Sequence, residues 1–343
     1  MSSGHDMKRR EFITGLAVTV VLPRAARGQQ PASMKRIAIV SPAIKVADMR
    51  VGGAAIFRAF FEELSRDGFV EGQNLVVERY SGEGRIEHYA DLAREVISTH
   101  PDLILASGGL PMALHFKSPI TIIPIVTMSG DPIAMGLVPS LAHPGGNVTG
   151  VSVDGDYKFY GKRLELLAAA IPKLSKVGYL ATQFNWEFPT GSANVIRQAA
   201  ERAGISLTAI LLETNVINES AYGRLFNSIE EHHLDGLVVS QDPEHLTYRA
   251  TLVELVAKSR IPTIYPFREC VDAGGLMSYS ANFLELFRQM ARQTAEILKG
   301  AYPGEIPIYQ ATKFELAINL KTARALDLEL PATLVATADE VIE

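Results

Sequence analysis

Cysteine is nearly absent from this 343-residue chain: Cys270 stands alone, and no Cys/His cluster has zinc spacing. Disulfide scaffolds and zinc modules are thereby excluded. A basic surplus is missing too, since 33 Lys and Arg face 38 Asp and Glu for a formal charge of −5. A nucleic-acid partner is not expected without a basic surface to meet phosphate. Long hydrophobic runs are also lacking. The apolar run Ile13 to Leu22 would rise only about 15 Å as a helix, roughly half a bilayer core, and no later run reaches a membrane span.

Catalytic fingerprints are missing as well. Ser41-Pro42-Ala43-Ile44 stands where a dinucleotide-binding chain would place glycines after its first strand. Gly145-Gly146-Asn147-Val148-Thr149-Gly150 precedes a strand instead of opening a helix, and no Gly-Lys-Ser/Thr follows it. There is no Gly-x-Ser-x-Gly elbow, and adjacent His232 and His233 would lie about 100° apart on a helix, unsuited to a metalloprotease pair. Cys270 reads as a small buried hydrophobe, having no partner histidine in view. We expect a non-enzyme that needs no cofactor and no metal.

What is present begins with an address. Lys8-Arg9-Arg10-Glu11-Phe12 precedes the apolar run, and Ala26 and Gly28 satisfy the small-x-small cleavage rule, so residues 1–28 read as a signal peptide with a mature start at Gln29. The arginine pair followed by x-Phe-Ile resembles the twin-arginine export signal. Its removal takes away five positive charges (Lys8, Arg9, Arg10, Arg24, Arg27) and two negative ones (Asp6, Glu11), leaving −8. With no cysteine at the boundary for a lipid anchor, an acidic protein free in the periplasm is expected.

From Lys35 onward, short β-branched runs alternate with amphipathic windows, as in Arg36 to Val40 followed by Ile56, Phe57, Phe60, Phe61 and Leu64 on one helical face. Strands are expected at 75–80, 103–106, 122–127 and 148–153. The series then restarts after a helix over 157–171, with strands at 177–181, 206–212, 237–240, 263–265 and 276–280. Asn282 caps a helix over 283–299, and Lys313 to Asn319 alternates as an edge strand would. The fold class is α/β, with two doubly wound parallel-sheet lobes and right-handed crossovers.

Several blocks carry a resemblance that spans the mature chain. They include Gly68-Phe69-Val70-Glu71-Gly72-Gln73-Asn74, Gly130-Asp131-Pro132-Ile133, Pro144 to Val151, Ile264 to Glu269, Ala273 to Tyr279, Thr312 to Leu316, Asn319 to Ala323 and the terminal Ala338 to Glu343. Together they resemble the substrate-binding proteins of bacterial ABC transporters, in the group that includes predicted tryptophan/tyrosine uptake proteins. The resemblance implies a type I periplasmic-binding-protein fold with three hinge crossings, near Ser152, Ser280 and Glu305, and a ligand enclosed by closure. Lobe 1 is then 35–152 plus 281–304, and lobe 2 is 153–280 plus 305–343. It also implies a small, amino-acid-like or aromatic ligand, a permease and its ATPase as partners, and a monomer. A periplasmic ligand-sensing protein that presents its ligand to a membrane receptor is the alternative.

Ligands of open parallel sheets sit beyond the carboxyl ends of the strands, which gives a short list of candidates. The loop after Val40 begins at Ser41. Ser107-Gly108-Gly109 offers backbone N–H groups to an anion, or is simply a tight turn. Thr127 and Ser129 add hydroxyls. Asp242 could hold an ammonium or cap the helix that Pro243 opens, and Asp131-Pro132 has the same ambiguity. Glu269 is the alternative cation partner, and Tyr265 and Phe267 are wall or core. Asn185 and Trp186, in the loop Gln183 to Phe188, are placed at the cleft mouth, where family members carry a Pro/Asn-rich loop instead.

Overall fold

In the computed structural model, the described residues are 34–343 apart from 109, 118–121, 154–157, 189–190 and 214–216. The expected signal peptide and Gly109 lie outside them. The first lobe opens with β1 (Lys35–Ser41), whose Ile37 to Val40 are fully buried, and α1 (Ala55–Arg66). Then come β2 (Leu75–Ser81), α2 (Tyr89–Ser98), β3 (Leu103–Ala106), α3 (Leu110–Phe116), β4 (Ile125–Ser129) and β5 (Val148–Ser152). After α4 (Lys158–Ala170) the second lobe runs through β6 (Lys176–Thr182), α5 (Gln183–Glu187), α6 (Ser192–Ala203), β7 (Ser206–Leu212), α7 (Glu219–Asn227) and β8 (Gly236–Val239). It continues with α8 (Pro243–Thr247), α9 (Arg249–Ser259), β9 (Thr263–Tyr265), α10 (Arg268–Asp272) and β10 (Met277–Ala281).

The chain then returns through α11 (Phe283–Leu298), which packs on α1 with Phe57 and Phe287 edge to face at 5.3 Å. Burial of one such ring contributes about 1.5–3 kcal/mol, and α11 buries Leu286, Phe287, Met290 and Ala291 on the same face, so this long-range helix pair is firmly anchored to lobe 1. The last elements are β11 (Tyr309–Gln310), β12 (Phe314–Asn319), α12 (Leu320–Ala325), α13 (Ala332–Val335) and β13 (Glu340–Ile342).

Among the described residues, the first sheet has the order β11-β5-β4-β3-β1-β2 and the second β13-β12-β10-β9-β8-β6-β7. All pairings are parallel except β10 with β12. Both sheets reverse their winding between their first and third strands, the place where α/β folds open a crevice. No helix of the described residues is long and apolar enough to cross a membrane.

Four details differ from the sequence reading. Tyr309–Gln310 pairs with β5 in the first sheet, so the third crossing follows Gln310 instead of falling near Glu305. Lys313 to Asn319 does not form the sheet edge, because Glu340–Ile342 pairs outside β12. The strand expected at 122–127 is shifted to 125–129, with Ile122 90% exposed, and this puts Ser129 at a strand's carboxyl end. Gln183 to Glu187 is a short helix, started by Thr182 Oγ1 accepting from the Asn185 N–H. Gly150 has φ +145 and a Cβ there would lie 1.9 Å from the Thr127 carbonyl, so glycine is the one residue that lets β5 close on β4.

Candidate functional site

The two winding reversals face each other. A cavity of about 180 Å³ lies between the lobes, bounded on one side by Ser41 and Ser107 at the ends of β1 and β3 and on the other by Thr182 and Asp242 beyond β6 and β8. Its walls are chiefly apolar, and eight aromatic residues are among those that line it. Tyr89 on α2 and Phe159 and Tyr160 on α4 line it; Phe184 and Phe188 stack at 5.6 Å, and Phe267 meets Phe283 at 5.7 Å. An apolar cavity of ~150 Å³ already accepts a benzene ring, so one aromatic side chain is a fitting occupant here.

The lobe 1 hydroxyls differ in what they have left to give. Ser107 Oγ donates to the Val40 carbonyl at 3.1 Å, and the N–H groups of Ser107 and Gly108 donate to Val40 and Ala106 at 2.8 and 3.0 Å. The fold uses these three donors, and Gly108 at φ +113 serves the turn, so neither Ser107 nor Gly108 offers an unspent donor of these to an anion. Ser41 Oγ instead accepts from the Ile44 N–H at 3.1 Å, which leaves its proton for the cavity. Ser129 Oγ, in a residue 5% exposed, has no hydrogen-bond partner among the described residues. A buried hydroxyl left this way costs about 1–3 kcal/mol unless something enters to meet it.

On lobe 2, Asp242 occupies the N-cap position of α8, yet its carboxylate makes no capping hydrogen bond to that helix. Its Oδ2 accepts from the Thr182 N–H at 2.8 Å and from Ser240 Oγ at 2.6 Å, and its Oδ1 accepts from Asn185 Nδ2 at 2.9 Å. Asn185 is held from its other side by Ser192 Oγ, which donates to Oδ1 at 2.8 Å. Asp242 therefore binds the ends of two strands to α5 and keeps a negative face on the cavity. Asp131, by contrast, follows the capping pattern, its Oδ1 accepting from the N–H groups of Ile133 and Ala134.

Behind Asp242 lies a fully buried relay. Ser240 gives its proton to Asp242, so His245 Nε2–H is the donor to Ser240 Oγ at 3.1 Å, and Nδ1 is then the acceptor of the Tyr222 hydroxyl at 2.8 Å. Burial lowers the His245 pKa, which keeps the ring neutral as this wiring requires.

Of the residues singled out from sequence, Ser41, Ser107, Gly108, Ser129, Asn185, Asp242 and Phe267 line this cavity. Thr127, Trp186, Tyr265 and Glu269 do not. Thr127 Oγ1 donates to the Ala106 carbonyl inside the sheet. Trp186 faces away, with the Arg197 guanidinium carbon 3.7 Å from its ring centre and Tyr179 at 6.1 Å. Tyr265 is fully buried beside Gly275 in the lobe 2 core. Glu269 sits on α10, where burial raises its pKa. Cys270, on the same helix, is fully buried, and its thiol is pushed well up by desolvation.

Two charged residues escaped the sequence reading. Glu244, 4% exposed, lines the cavity, and its pKa is raised by burial first and by Asp242 second. The Asp-Pro-Glu step after a strand end was the available signal. Arg163, fully buried on α4, stacks on Phe159 at 4.5 Å and Tyr160 at 5.0 Å and donates to the Tyr279 carbonyl and to Gln241. Nothing in its local sequence distinguishes it from a surface arginine.

The profile of a family described as ABC transporter substrate binding protein matches residues 51–342. Over 277 residues the chain is 27% identical to the tyrosine-binding protein of Clostridioides difficile (strain R20291), covering 79% of this chain and 76% of that one. Among solved structures, a conserved domain protein from Vibrio cholerae O1 biovar El Tor superposes with a TM-score of 0.78 at 21% identity. The ABC domain in complex with L-Trp from Streptococcus pneumonia does so at 0.77 and 22%. Each covers 90% of this chain and 100% of its own. At these identities the two structures establish a shared fold.

Proposed function

This chain belongs to the ABC transporter substrate-binding protein family, and from that footing we propose that it encloses a small aromatic amino acid and delivers it to a permease and its ATPase. The observation that carries the reading is the ring-walled cavity with hydroxyl donors on one lobe and an acidic face on the other. An aromatic side chain fits the walls, a carboxylate meets Ser41 and Ser129, and an ammonium meets the Asp242 side. The relative described as tyrosine-binding supports the same class of ligand. Polar ends held by opposite lobes make closure depend on the ligand.

The protein acts as a monomer in the periplasm, exported by the twin-arginine route that Arg9 and Arg10 suggest. Changing both to Lys should retain precursor in the cytoplasm, and normal periplasmic yield would remove that route. Calorimetric titration with L-tyrosine and L-tryptophan, against L-leucine as an aliphatic control, tests the ligand class. A hundredfold excess of a true ligand over its dissociation constant should add about 2.7 kcal/mol of stability. The ligand should be recovered chemically unchanged; its conversion by purified protein would overturn the reading.

A further inference from the structure

Glu244 is a buried carboxyl whose one donor among the described residues is its own backbone N–H. Among the described residues no other side chain or backbone group donates to it, and no Lys or Arg lines the cavity it faces. The titratable groups around it are Tyr89 from α2, Tyr222 from α7, Tyr248 ahead of α9, and Asp242 and its neighbour His245. The three tyrosines are neutral below the alkaline range and the histidine is neutral by burial, so only Asp242 brings a charge, of the same sign. Three donors satisfy Asp242 as a carboxylate. Two adjacent anions in a desolvated cleft are not sustainable, and Glu244, held by its own backbone N–H alone where Asp242 has three donors, takes the proton.

The opposite wall carries a second, independent sign of a missing occupant, the unpartnered Ser129 hydroxyl. An amino acid would answer both, its carboxylate at the serine and its ammonium at the acids. We propose that Glu244 and Asp242 together form a cation seat in which Glu244 carries a proton while the cleft is empty and yields it when a primary ammonium enters. The Glu244 O–H bond breaks, its proton passes to buffer, and the ligand nitrogen keeps all of its own protons. Glu244 thereby selects for an amine and makes binding tighten as pH rises.

This inference rests on the aromatic amino-acid reading, and the probes separate the two. Infrared difference spectra of the ligand-free protein at neutral pH should show a protonated-carboxyl stretch that Glu244→Gln lacks and that L-tyrosine abolishes. Calorimetry in two buffers of different ionisation heat should register proton release by the wild type on binding L-tyrosine. Glu244→Gln should bind L-tyrosine about thirtyfold more weakly or worse and release no proton. Hydroxyphenylpropanoate, which has the ring and carboxylate but no amine, should bind weakly and release none. The proposal fails if the stretch is absent from ligand-free protein, if it persists with L-tyrosine bound, or if the deaminated analogue binds as tightly. If L-tyrosine and L-tryptophan do not bind but tyramine removes the stretch, the amino-acid reading fails and the cation seat stands.

Discussion

Ser240 donates its hydroxyl proton to Asp242 across 2.6 Å, and this bond determines what the Ser, His and Asp of the β8 end can do. A hydrolytic triad needs serine to give its proton to histidine and the aspartate to hold the other ring nitrogen. Here His245 Nδ1 faces Tyr222, and Ser240 is fully buried. The residue types of a nucleophilic site have been wired into a support for one carboxylate.

The first prediction follows from that wiring. Ser240 should not react with organophosphonate probes, whereas Ser240→Ala should loosen Asp242 and weaken ligand binding by about 0.5–1.5 kcal/mol, the usual worth of one hydrogen bond. Labelling detected by mass spectrometry, or unchanged affinity in the alanine variant, would contradict it.

Among the lobe 1 serines, those with a free proton should matter to affinity. Ser129→Ala and Ser41→Ala are expected to cost about 1.5–3 kcal/mol of binding to a carboxylate-bearing ligand. Ser107→Ala, whose hydroxyl serves Val40, should cost affinity little and show its effect in thermal stability. Calorimetric dissociation constants of the three variants distinguish these outcomes.

A third expectation concerns pH. The folded-state pKa of Glu244 lies above its ordinary value of 4.5, so the folded protein holds a proton that the unfolded chain has released. Stability from this group is complete below 4.5 and declines as pH rises above it toward the raised folded value. Melting temperatures of ligand-free Glu244→Gln should therefore gain on wild type as pH is raised from about 5 to 8, with the two converging at the acid end. A constant gap across that range would refute it.

Trp186, the only tryptophan of the chain, sits under Arg197 instead of in the cavity lining. Trp186→Ala should lower the melting temperature, since it removes a cation-π contact and the packing of α5 on α6, while affinity stays near wild type. Phe188→Ala should do the reverse, costing affinity through the lost wall. Thermal scans and calorimetry on the two variants decide between them.

Periodicity alone determined the alternation of strands and helices, because burial on one helical face or in a parallel strand imposes its spacing on each segment separately. It also located the cleft candidates, since the carboxyl end of a strand is a position in sequence before it is a position in space. Tertiary structure decided which of those candidates converge. Thr127 and Ser129 are two residues apart on β4, yet one hydroxyl is bonded within the sheet and the other is left to the cavity, a difference set by neighbouring strands. Asp242 looked like a cap by its proline and became a tie between β6, β8 and α5 because Thr182 and Asn185, about sixty positions away, supplied donors. Glu244 was invisible as a site residue for the same reason: a carboxyl acquires its meaning from desolvation and from the charges around it, and only the assembled lobes provide either.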